Sequence, residues 1–171
     1  MTNILFGYDI DCVEPLYINF DKPKNLVVIG ENHRRAIIEC LNNSLILSNI
    51  PTKPEYKNLN LNDNNVFNNI LITSRTNNIS LYVSDLKINL ISVNILRQTN
   101  YVLFKNKDEN EIFEFVKHYF LEFYPNNNDE ELKELIYDLV KSLKSDLKVH
   151  LLFDMDNKKW FRIKLVENII R

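Results

Sequence analysis

Residues 25–42 read NLVVIGENHRRAIIECLN: an apolar run, a glycine, a short polar stretch, then an amphipathic pattern. Strand, glycine turn and helix in that order are the layout of a phosphate-binding loop. A working loop of this kind reads G-x-x-x-x-G-K-[ST], with the lysine on the β- and γ-phosphates and the hydroxyl on Mg²⁺. Here the run is Gly30-Glu31-Asn32-His33-Arg34-Arg35-Ala36, and the second glycine, the lysine and the hydroxyl are all missing. Losing the lysine removes a charge-assisted hydrogen bond of about 1.5–3 kcal/mol. Glu31 adds a negative charge where phosphates would sit. Backbone N–H groups at a helix N-terminus still attract anions, and Arg34 and Arg35 could add charge. Two readings stay open: a residual anion site, or a loop that only joins strand to helix.

A second run, Val149-His150-Leu151-Leu152-Phe153-Asp154-Met155-Asp156, is an apolar strand ending in acids. In phosphate-binding folds such a strand end holds Mg²⁺, the Walker B position. Asp154 and Asp156 are two apart and share a face of an extended chain. Met155 stands where a water-polarising glutamate would follow, so hydrolysis would need another base. Many strands also end in aspartate simply as a turn cap. His33, His118 and His150 do not cluster, Cys12 and Cys40 have no metal spacing, and no nucleophile motif is present. No metal site is expected, and no cofactor; ATP and Mg²⁺ enter only if the loop at Gly30 still works.

These candidates need elements to position them. Residues 16–20 and 26–29 read as strands, the second covered on both faces. Residues 34 to about 47 carry the 3.6-residue period of a helix. Residues 48–69 hold two prolines and many asparagines and read as a long loop. Residues 70–73, 79–83, 88–96 and 101–104 read as further strands. Asp108 starts a helix reaching about residue 124, with Glu111 at the capping-box position. A second helix runs from Asp129 to about 147, and 149–153 is a buried strand. Residues 160–170 fit either a helix or a strand. Strands alternating with helices predict an α/β fold with a mostly parallel sheet flanked by helices.

Composition narrows the function classes. A chain of 171 residues is expected to form one domain, 1–171, with a proper core. A net charge of −2 offers nothing to nucleic acid. No apolar run reaches the ~18 residues of a membrane span, so no direct membrane insertion is expected, and the N-terminus lacks a signal-peptide pattern. The two cysteines fit a reducing compartment, with buried thiols expected. Gly7 and Gly30 are the only glycines, so a glycine at the first strand-to-helix turn supports that turn and argues against an extended glycine-built cradle. On the helix after Asp108, Phe113 and Phe115 fall off the main apolar stripe. They fit either a helix packed on two sides or an exposed aromatic patch that receives another protein.

The runs Phe6-Gly7-Tyr8-Asp9, Val13-Glu14-Pro15-Leu16-Tyr17-Ile18-Asn19-Phe20 and Lys24-Asn25-Leu26-Val27-Val28-Ile29-Gly30 resemble the opening of FtsK/SpoIIIE-type ATPase domains. They look closest to the C-terminal, third ATPase domain of EssC-like type VII secretion proteins. The likeness extends in order to Ile70-Leu71-Ile72-Thr73-Ser74, the helix with Phe113 and Phe120, and the strand ending at Asp154. The resemblance implies a P-loop-NTPase-like fold, shortened after the acidic strand where the family continues. It implies a cytoplasmic module of a membrane-anchored motor whose partners are secreted protein substrates or neighbouring ATPase domains. That family's last ATPase domain is often degenerate, in keeping with residues 30–36. Three functions follow: a non-catalytic ATPase-like domain acting through protein contacts, a nucleotide-binding or hydrolysing domain completed in trans, or a free-standing adaptor or immunity-like protein.

Overall fold

The computed structural model describes residues 3–19, 24–29, 55–58, 79–84, 99–104, 108–120, 124–141, 143–144, 146 and 148–165. Eight strands form one sheet: β1 (Asn3–Asp9), β2 (Glu14–Asn19), β3 (Lys24–Ile29), β4 (Glu55–Asn58), β5 (Ile79–Ser84), β6 (Tyr101–Phe104), β7 (Val149–Asp154) and β8 (Lys159–Leu165). Their spatial order is β2-β1-β8-β7-β6-β3-β5-β4. Two helices are described, α1 (Glu109–Tyr119) and α2 (Asp129–Lys141).

The sheet is mixed, which corrects the mostly parallel expectation. Within β4-β5-β3-β6 every pairing is parallel. The other half, β6-β7-β8-β1-β2, is antiparallel at every pairing. The reason lies between β6 and β7. One crossover helix would return the chain for a parallel strand, but two helices stand here. Ion pairs Lys117–Asp129 and Lys144–Glu109 tie the end of α1 to the start of α2 and the start of α1 to the segment after α2. The helices are therefore antiparallel, and the second brings the chain back to the end from which β6 left. β7 must then run the other way.

Capping sets where each helix begins. The Asp108 carboxylate accepts from the N–H groups of Asn110 and Glu111 at 2.9 and 3.1 Å. α2 starts at Asp129 as expected, and its cap is Asn128: its Oδ1 accepts from the N–H groups of Glu130 and Glu131, and Glu131 Oε2 accepts from the Asn128 N–H, all at 3.0 Å. That reciprocal box is worth on the order of 1 kcal/mol. Both helices stop earlier than their apolar patterns do. Phe120 leaves helical geometry (φ −114°, ψ 13°) and stacks on Phe153 at 4.4 Å.

One sheet face carries Val102 and Phe104 of β6 and Val149, Leu151 and Phe153 of β7. Against it pack Ile112, Phe113, Phe115 and Val116 of α1 and Leu132, Ile136 and Val140 of α2. Rings interlock there, with Phe115 edge-on to Phe104 and Phe120 at 5.1 and 5.2 Å, as aromatic quadrupoles prefer. Trp160 closes one side and donates its indole N–H to the Tyr124 hydroxyl at 2.6 Å. Phe113 and Phe115 are thus core residues, 7% and 0% exposed: of the two readings open in the sequence, the helix packed on two sides is the one seen, and the exposed contact patch is not. Phe113 lies beneath the ammonium groups of Lys117 and Lys133, whose stems shield it from water.

Two further expectations shift, and one open reading closes. β4 lies inside the stretch read as a long loop; its sequence Glu55-Tyr56-Lys57-Asn58 has no apolar alternation to mark it, and only pairing to β5 makes it a strand. Residues 159–165 are a strand, and Trp160-Phe161-Arg162-Ile163 supplies the alternation. Cys12 is exposed, not buried. Cys40, the helix expected over 34–47 and the strands expected at 70–73 and 88–96 lie outside the described residues.

Candidate functional site

β3 leads to Gly30 and occupies the middle of the parallel half, with β6 on one side and β5 on the other. Its apolar run Leu26-Val27-Val28-Ile29 suits a strand flanked by neighbours on both edges. Register sets Ile29 level with Ser84 of β5 and Phe104 of β6. The three carboxyl ends are therefore aligned, and in open α/β sheets that is the edge at which ligands bind. Gly30, Glu31, Asn32, His33, Arg34, Arg35 and Ala36 lie outside the described residues.

Asp154 is at the other end. β7 opposes β6 with Tyr101 level with Asp154, and Tyr101 is level with Leu26 of β3. Asp154 thus stands beside the start of β3, three residues back from Ile29, or about 10 Å at ~3.3 Å per residue. A strand runs between them as well. The structure brings Asp154 and Asp156 together but does not bring either to the edge from which the Gly30 loop departs.

What the two acids do there is plain from their bonds. β7 and β8 form a hairpin in which Asp154 pairs with Lys159. Asp154 is buried, and its Oδ1 accepts from the N–H groups of Asp156 and Asn157 at 3.0 and 2.9 Å, while Oδ2 accepts from Asn157 Nδ2 at 2.8 Å. An aspartate that bonds the backbone two and three residues on is a turn-former. The Asp156 carboxylate accepts from Asn100 Nδ2 at 3.2 and 3.0 Å, and the Met155 N–H donates to the Asn100 carbonyl at 2.8 Å. The turn is thereby fastened to the residue before β6. Burial, and then the charges of Asp154 and Asp156, push the Tyr101 hydroxyl well above its ordinary range. Among the described residues no group of His, Cys, Asp or Glu side chains could hold a metal ion.

The histidines stay apart here too. His118 sits on α1 with its ring edge-on to Tyr119, His150 is half-buried in β7, and His33 lies outside the described residues. A hydrogen bond to Asp9 raises the pKa of the exposed Cys12 thiol, which opposes the thiolate that a nucleophile needs. An open depression of about 320 Å³ on α2 is lined by Lys133, Glu134, Tyr137 and Asp138. All four come from one helix, so no second element converges on it. No described helix is long and apolar enough to cross a membrane.

One feature gave no warning in the apolar pattern. The hairpin of β1 and β2 carries Tyr8, Val13 and Tyr17 exposed at 45%, 81% and 51%. Val13 holds a positive φ of 58°, unusual for a β-branched side chain. The cross-strand alternation that placed β2 could have shown Tyr17 facing away from the core, but nothing marked Val13.

No family model matches the chain, and no curated protein matches it. Solved structures do. The genome packaging NTPase B204 from Sulfolobus turreted icosahedral virus 2, solved in complex with ATP-gammaS, is 9% identical, with 87% of this chain and 100% of that chain covered and a TM-score of 0.53. The DNA-packaging ATPase B204 from Sulfolobus turreted icosahedral virus is 11% identical over 84% of each chain, with a TM-score of 0.44. At such identities the likeness concerns fold alone: this chain shares the α/β fold of the packaging NTPase solved with ATP-gammaS.

Proposed function

We propose that this chain is a non-catalytic ATPase-like domain of a translocating motor, working through protein contacts. The fold supplies the architecture. The observation that carries the rest is the placement of Asp154, level with the start of β3 and bonded into its own hairpin turn. An Mg²⁺-holding acid has to reach the phosphates beside the glycine loop. The sequence of that loop also lacks the lysine and hydroxyl, so two sources of phosphate affinity are missing from two separate parts of the chain.

The resemblance of residues 6–30 to EssC-like proteins makes a type VII secretion motor the reading we favour for the parent machine. In it the domain would stand in the cytoplasm as part of a membrane-anchored protein and contact secreted substrates or neighbouring ATPase domains. Thermal denaturation with and without millimolar Mg·ATP tests the proposal. Ligand bound only to the native state stabilises by RT ln(1 + [L]/Kd), so no change in Tm is expected, and a clear rise overturns the non-catalytic reading.

A second reading keeps nucleotide binding, because the similar B204 fold was solved with ATP-gammaS. It predicts a rise in Tm that disappears in Arg34→Ala and survives in Asp154→Asn. Loss of the rise in Asp154→Asn, with the fold intact, would return the acid to the nucleotide site.

A further inference from the structure

We draw no further inference here: the strongest candidate, the patch of Tyr8, Val13 and Tyr17 exposed on the β1–β2 hairpin at one end of the sheet order, carries nothing because nothing in the structure shows what covers it.

Discussion

Gly7→Ala should loosen the N-terminal hairpin from the rest of the sheet. Gly7 lies on β1 opposite Leu165 of β8. A Cβ added there would meet the Lys164 carbonyl oxygen at 2.5 Å and its carbon at 3.2 Å, both main chain. Neither is a flexible tip that can swing aside, so the strands must part by several tenths of an ångström. Forcing a methyl into such a contact costs about 1–3 kcal/mol. At 2–4 °C per kcal/mol for a chain of this length, Tm should fall by roughly 2–12 °C. The damage should be local. The β1–β8 ladder has three register pairs, Gly7 to Asp9 against Ile163 to Leu165, extended by the Ile10 N–H to Arg162 carbonyl bond at 2.8 Å and the two-pronged Arg162–Asp11 pair. Hydrogen exchange should therefore accelerate at Tyr8, Asp9 and Ile10 while Leu151 to Phe153, across the sheet in the core, stays protected. An unchanged Tm with unchanged exchange on β1 would refute the close-approach account of this glycine, and uniform acceleration would refute its locality.

Val13→Asn or Val13→Gly should raise stability by about 1 kcal/mol, because either residue tolerates φ 58° better than a β-branched one; chemical denaturation of the pair against the parent checks it. Asn128→Ala should cost about 0.5–2 kcal/mol through the lost cap of α2, read as a lower denaturant midpoint with unchanged slope. Asp154→Ala should destabilise by about 1–3 kcal/mol by stranding the turn N–H groups, with no effect on any nucleotide response. Stability should be level through neutral pH and fall above about pH 10: the unfolded chain releases its tyrosine protons there while buried Tyr101, its pKa raised, keeps its own, so the native state holds more protons and loses ground as pH rises. Melting curves across that range should show a shallower fall for Tyr101→Phe.

Local features were legible where one residue type does one job. Asp108 and the apolar spacing after it announced α1, four consecutive apolar residues announced β3, and Leu151-Leu152-Phe153 announced β7. Direction was not legible, because whether β7 runs with or against β6 depends on two helices folding back on each other, and the Lys144–Glu109 pair that helps fix this joins the segment after α2 to the start of α1. β4 was hidden because its pairing with β5, not its own pattern, makes it a strand. Phe113 and Phe115 left two readings open, and the two-sided packing is the one seen: α1 is covered by the sheet and by α2, so an apolar stripe wider than one face is still core. Asp154 stayed ambiguous because an acid at a strand end serves a turn and a metal equally well in sequence; its bonds into the hairpin turn and its register show the turn role. The run at Gly30 was legible in what it lacks, since the missing lysine and hydroxyl are facts of composition.

The joining of β1 to β8 has a kinetic consequence. Asp11 and Arg162 clasp each other across 151 positions of chain, so the β1–β2 hairpin acquires β8 as a neighbour only after the chain between them has been made. Contacts this remote in sequence slow folding, and until they form, the tyrosines of the hairpin stand beside an unpaired edge on both sides. The nascent chain is then at its stickiest, and the hairpin carboxylates Asp9, Asp11 and Glu14 serve as the safeguard that keeps two such chains from zipping together on the ribosome.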